Sequence, residues 1–414
     1  MSRLLIDLTP LREIPAYRRL WAAISISNLG QQMSSIAVGY QVYELTKSSW
    51  NVGLVGLFQL VPLLLLGLWG GALSDVFDRR LVGLWAAIGA LLCTVLLAVQ
   101  ALLGNTQVWI LYVLIAAQAA VFAIGGPARQ SIIPRIVPAH MLPAANALSM
   151  LSWNVGFTVG PLVGGAVIAV SGSVTTAYVV DGLLFLGMVY AMYRLPSLPA
   201  VVSGRTAGFE AIAEGLRFLK GKRNLQMSFY VDIIAMVFGM PRALFPALAA
   251  TQYGNGMDPA TMLGLLSAGP ALGAAVSSVF SGPLGRIHRH GVAIVQSIIV
   301  WGLAIALFGL TSNIWWAVFF LAVAGAADNV SAVFRSTMLQ SAVPDEYRGR
   351  LQGVFTVVVA GGPRLGDMEA GAAAAWRGEV FSVVSGGLAC VALTVALVAA
   401  VPSFLKYDAR NPRP

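Results

Sequence analysis

Apolar runs of about twenty residues recur along the whole chain, and short polar segments separate them. A helix needs about 20 apolar residues to cross the hydrocarbon core of a bilayer. Twelve such runs are present, at 20–43, 50–73, 81–103, 107–128, 145–170, 174–193, 225–250, 260–284, 291–311, 314–334, 351–375 and 379–402. They are continuous and rich in Leu, Ala and Val. A closed barrel, which needs alternating strands of about ten residues, is thereby excluded. The pattern predicts an all-α integral membrane protein with twelve transmembrane helices.

Composition agrees. Hydrophobic residues make up 58% of the 414 and charged residues 10%, against about 25% charged in a soluble domain. A soluble enzyme, a disordered chain and a nucleic-acid-binding protein are excluded. The basic balance is a matter of topology instead. With the N-terminus inside, 22 of the 26 Lys and Arg fall in cytoplasmic segments, and only Lys47 and Arg377 lie outside. That distribution follows the positive-inside rule. It places the chain in the cytoplasmic (inner) membrane, multi-pass, with both termini cytoplasmic and its basic face toward anionic lipid headgroups. No cleavable signal peptide is expected.

Six runs precede the longest polar segment and six follow it. The domains expected are therefore an N-terminal six-helix bundle over 1–194, a cytoplasmic linker over 195–224 and a C-terminal bundle over 225–414. In the linker, Phe209, Ile212, Leu216 and Leu219 fall at helical spacing opposite Glu210, Glu214, Arg217 and Lys220. That reads as a short amphipathic helix at the inner surface. The halves also repeat. Arg129, Pro138 and Asn146 return 206 residues later as Arg335, Pro344 and Gln352, and Gly71 and Leu73 return 211 residues later as Gly282 and Leu284. An internal six-plus-six repeat is what many transporters carry.

Two motifs carry a family resemblance. The loop after the second run reads Gly71-Ala72-Leu73-Ser74-Asp75-Val76-Phe77-Asp78-Arg79-Arg80, and it resembles the loop signature of the major facilitator superfamily. Asp78 stands where that signature has its second Gly. The fifth run carries Gly156, Gly160, Pro161, Gly164 and Gly165, which resemble the superfamily's antiporter signature. Gly156, Gly160 and Gly164 form one bare stripe that lets helices pack closely. Stretches at Gly126–Ser131, at Asp232 with Phe238–Arg242, and at Gly361–Asp367 resemble an enterobactin-exporter-like branch. The resemblance implies a cytoplasmic latch of Gly71, Asp75, Arg79, Arg80, Arg129 and Arg335, in which Asp75 pairs with Arg129. It also implies export as the direction, and a path lined by spans 1, 4, 7 and 10.

Ionisable and polar groups inside spans are costly and usually face a cavity. Asp232 and Asp328 are the candidates for proton coupling, and Arg335 shares a face with Asp328. Asn28, Gln31, Gln32, Gln118, Arg242, Arg364, Asp367 and Glu369 are the candidates for the substrate cavity. Gln31 and Gln32 are adjacent, so they cannot both face one neighbour. Arg364 and Asp367, at i and i+3, are set to pair with each other. Asp181, on a helix the family places outside the path, is expected to be structural. No arginine is expected inside the fourth span.

No resident cofactor is expected. Cys93 and Cys390 read as buried small hydrophobes, and His140, His288 and His290, all assigned to cytoplasmic loops, form no metal site. Gly215 to Lys222 does not have Walker-loop spacing, and the acids assemble no catalytic pair. The reading is a monomeric secondary transporter, not an enzyme, with a small molecule, protons and membrane lipid as partners. It exports a siderophore first, and amphiphilic drugs second, by proton antiport and alternating access. A proton-coupled importer and a non-transporting membrane scaffold are the alternatives.

Overall fold

The computed structural model describes residues 7–199, 214, 217–253, 257–280 and 287–410, with the side chains of 68–75, 340, 345–346, 348–350, 352–353 and 356 left aside. Every regular element among the described residues is helical. In order these are α1 (Thr9–Glu13), α2 (Pro15–Thr46), α3 (Ser49–Val76), α4 (Arg79–Leu102), α5 (Val108–Ile136), α6 (Leu142–Ser171) and α7 (Val174–Tyr193). After the linker come α8 (Arg223–Phe238), α9 (Phe245–Thr251), α10 (Pro259–Val279), α11 (His290–Leu310), α12 (Ile314–Ala342), α13 (Asp345–Arg377) and α14 (Glu379–Ala400). In hydrocarbon a helix satisfies its backbone within one segment, which is why apolar runs of this length fold so.

Ten spans are apolar enough to cross a membrane by hydropathy alone. The remaining two of the twelve, α2 and α13, are long helices of 32 and 33 residues whose polar side chains keep them out of that set. They are the helices that carry Asn28, Gln31 and Gln32, and Arg364, Asp367 and Glu369.

Caps set the turns. Gly172, at φ 65°, ends α6, and the Ser173 side chain accepts from the Thr175 N–H to start α7. Asp258 and Asn313 cap α10 and α12 in the same way. Two expectations need correction. The seventh span is not one helix: α8 stops at Phe238 and a 3-10 turn at 242–244 leads into α9. Pro241 and Pro246 lack the N–H that a continuous helix needs. The Gly239 carbonyl that the break exposes accepts from the Trp301 indole N–H at 3.1 Å. His290 is not in a loop either. It opens α11, is buried, and packs against the Phe334 ring. The proposed linker helix lies largely outside the described residues.

The chain divides into two compact units, Met1–Leu45 with Phe58–Gly208, and Thr46–Leu57 with Phe209–Pro414. In the first, the bare stripe of α6 seats α2. A Cβ added at Gly156 would meet Asn28 Cβ at 3.2 Å, one at Gly160 would meet Gln32 Cβ at 2.5 Å, and one at Gly164 would meet Met33 Cα at 2.9 Å. In the second unit Gly362 and Gly366 of α13 lie as closely against Met236 and Met240, at the end of α8 and just beyond it. The repeat read from sequence thus recurs as a packing rule, since each unit's fifth span presents glycine to its first.

Gly160→Leu is expected to push α2 away from α6 and cost about 1–3 kcal/mol by overpacking. Thermal unfolding in detergent checks this, with Gly187→Leu as the control. Nothing lies within 4 Å of a Cβ at Gly187, so that variant should match or exceed the parent.

Candidate functional site

The first unit encloses a cavity of about 530 Å³ between α2, α4, α5, α6 and α7. Asn28, Gln31 and Gln118 all line it. Gln32 does not. One residue on, the helix has turned by about 100°, and its side chain lies against Gly160. Phe122, Arg129 and Trp153 complete the functional part of the wall, and none of the lining residues is an acid. Arg129 corrects the sequence expectation. The helix does not end at Ala128 but continues through Pro127 and Pro134 to Ile136, so an arginine does stand inside the fourth span. Its guanidinium sits 5.1 Å from the centre of the Phe122 ring. The first charge after an apolar run does not mark the helix end here. The seven-residue spacing of Phe122 and Arg129 was the available signal that they share a face. Amides, aromatic faces and one guanidinium together suit a planar, partly aromatic solute with negative charge.

The second unit holds a buried charge cluster. Arg335 of α12 forms an ion pair with Asp232 of α8, and it reaches Asp328, on its own helix, at 3.6 Å. The side chains of Arg335 and Asp232 are 3% and 1% exposed, whereas Asp328 is 32% exposed. Ser331, fully buried, sits between Asp328 and Arg335 on the same face. Arg335 therefore belongs to the interior of a helix rather than to an inner-face loop. It and Arg129 occupy the same register, twenty-one residues past the first residue of α12 and α5. At the repeat offset, Asp328 corresponds to Phe122. One copy thus gives its arginine an aromatic ring, the other two acids. One cation and two ionised acids leave a net charge of −1, and a single proton makes the cluster neutral.

A second ion pair lies nearby in sequence and also differs from expectation. Asp367 pairs with Arg242 at 3.5 Å, not with Arg364, which donates to its own helix at the Ala360 carbonyl. The break after α8 carries Arg242 on the 3-10 turn, outside any long helix, and frees it to reach α13. Glu369, half-buried two residues further along α13, belongs to neither pair.

Of the latch candidates, Gly71 and the Asp75 side chain lie outside what is described. Arg79 donates to the Ser131 carbonyl at 3.4 Å and Arg80 to the Tyr193 carbonyl at 2.6 Å. Both arginines hold carbonyls near the ends of α5 and α7, where a cation is favourable. Asp78 sits at φ −57°, so the turn needs no glycine. It caps α4 through the Arg80 N–H and accepts from Ser197 and the Leu198 N–H. Burial alone would raise its carboxyl, but these hydrogen bonds outweigh it and hold the group below its ordinary value.

Twelve spans in two repeated units, with a few buried charges inside them, define a multi-pass secondary transporter of the major facilitator superfamily. The chain belongs to the transmembrane secretion effector family, whose profile matches residues 6–412. It is similar to the enterobactin exporter EntS of Escherichia coli O81 (strain ED1a), at 28% identity over 413 residues, covering 99% of this chain and 97% of that one. Among solved structures it resembles the nucleoside transporter NupG, with TM-score 0.73 and 15% identity over 95% of this chain and all of that one. It also resembles a bacterial homologue of the lysosomal transporter Spinster in an inward-facing, unoccupied conformation, with TM-score 0.72, 16% identity and 97% coverage of each chain. The family and these relatives are transporters, not enzymes.

Arg335→Ala is expected to destabilise the protein by about 3–5 kcal/mol, because it strands a buried carboxylate. The double variant Asp232→Ala/Arg335→Ala should recover much of that loss. Asp328→Asn should cost little, since Asp328 is partly exposed. Denaturation midpoints in detergent rank the three.

Proposed function

We propose that this chain exports a small, partly aromatic, anionic molecule from the cytoplasm in exchange for inward-moving protons. A siderophore is the leading substrate, following the exporter it resembles over nearly its whole length, and amphiphilic drugs are second. The antiporter-type glycine stripe at Gly156, Gly160 and Gly164 supports the direction. Gln118, Arg129 and Trp153 supply the amide, cation and aromatic face for the solute. Both termini and the 195–224 linker face the cytoplasm, the two six-span bundles rock about the path, and the monomer is the working unit.

The observation that carries the coupling is the unbalanced charge at Asp232, Arg335 and Asp328. A buried ion without a partner costs several kcal/mol, and a group escapes that cost by binding a proton. With a proton on Asp328, Arg335 belongs to Asp232 alone and the cluster is neutral. When the proton leaves toward the cytoplasm, Arg335 must serve both acids, which draws α12 and α8 into a different arrangement. Two arrangements of one arginine give the two states that alternating access requires.

Proteoliposomes with an imposed pH gradient test this, with enterobactin as the trial substrate. The parent should pump, and it should also exchange substrate without a gradient. Asp232→Asn should keep exchange and lose gradient-driven flux, and Asp328→Asn should lose the same or less. Parental pumping in both variants would place the proton elsewhere, and uptake in place of export would favour the importer.

A further inference from the structure

Asp181 has no place in that scheme, yet its surroundings are specific. It lies on α7 and is 1% exposed. Its Oδ2 accepts from Ser34 of α2 at 2.6 Å and from Thr94 of α4 at 3.3 Å, both hydroxyls being buried. Its Oδ1 has no hydrogen-bond partner. It takes part in no ion pair among the described residues. The charged groups on the helices around it are Arg18, Arg19 and Glu44 on α2, Arg79 and Arg80 on α4, and Arg129 and Arg135 on α5, while α6 has none. The nearest titratable neighbour on its own helix is Tyr178, whose hydroxyl donates to Gln41. Gly30 of α2 makes room for the carboxyl, since a Cβ there would run into Asp181.

The contacts also lead outward. Gln118, on the cavity wall, donates from Nε2 to Thr94 Oγ1 at 3.4 Å. A hydroxyl that donates to a carboxylate is a better acceptor, because hydrogen bonds in a chain polarise one another. Ionised Asp181 therefore strengthens the hold of Thr94 on the Gln118 amide. Protonated Asp181 no longer needs the Thr94 hydrogen, which can turn to a carbonyl of its own helix. The hold on Gln118 weakens and its amide loses the orientation it presents to a solute, so proton and solute oppose each other, as exchange requires.

We propose that Asp181 is a proton-binding site of the N-terminal unit that acts on the substrate cavity through Thr94 and Gln118, a role that rests on the proton-driven reading above. Asp181 and Thr94 are positioning residues here, and Gln118 is the group that meets the solute. The step is protonation of the buried Asp181 carboxylate alone, and no covalent step is involved.

Infrared difference spectroscopy on the whole protein in lipid nanodiscs, with pH steps and no substrate, tests the proton site directly. The parent should show a carboxylic-acid C=O band that responds to pH and is lost in Asp181→Asn. In Thr94→Val, which keeps the acid but removes one donor, the band should shift. That second variant serves if the first does not fold. A parent spectrum in which Asp181→Asn removes no such band, or a Thr94→Val spectrum identical to the parent, overturns the proposal. The link to the cavity is read from enterobactin affinity against pH, whose profile Thr94→Val should flatten while binding persists. An unchanged profile overturns the link. If enterobactin is not bound at all, the substrate reading fails while the infrared result still decides the proton site.

Discussion

The contact between Arg335 and Asp232 is the interaction on which the C-terminal unit depends. A guanidinium inside a membrane span is tolerated only when it is paired or wet. Here it is neither near a helix end nor exposed, and the carboxylate that meets it comes from another span. The pair therefore ties α12 to α8, and it is the reason both helices can carry charge at that depth. Asp328 then matters because it is third. It is close enough to compete for the same arginine and exposed enough to exchange a proton with water. A unit built on a balanced pair would be merely stable. On the proposed reading, an unbalanced trio lets a proton on Asp328 decide whether Arg335 serves one acid or two.

The N-terminal unit solves the same problem differently. Its equivalent arginine, Arg129, lies beside an aromatic ring and lines a cavity rich in amides. Its buried acid, Asp181, is held by hydroxyls alone. The division of labour shows in one substitution between repeats, Phe122 for Asp328. In both units, glycines on the fifth span let the first span approach closely, and the first span of the N-terminal unit brings Asn28, Gln31 and Ser34 to their positions.

The architecture was legible in the sequence because bilayer thickness imposes length and composition on each span. Even α2 and α13, too polar for a hydropathy test, stood out as runs between loops. What was not legible depended on where side chains go after the helices form. Arg129 and Arg335 fall just past the expected ends of their runs, because a charge ending an apolar run looks the same whether the helix stops or continues for two more turns. The pairing of Arg242 with Asp367 depends on a helix break at Gly239 and Pro241 that sequence spacing alone cannot place in space. Asp181 is expected to be structural because the family places its helix outside the path, and its hydroxyl partners, Ser34 and Thr94, come from two other helices that the sequence does not bring together. Gly30, which makes its site possible, carries no signal of its own.

If proton and solute are exchanged as proposed, then loading the solute must expel the proton. Proton release is measurable with the purified protein in weakly buffered detergent, using a pH-indicator dye as enterobactin is added. The account predicts release in the parent near neutral pH, reduced when both Asp232 and Asp328 are replaced by Asn. Saturable binding by the parent with no proton released at any pH would contradict it.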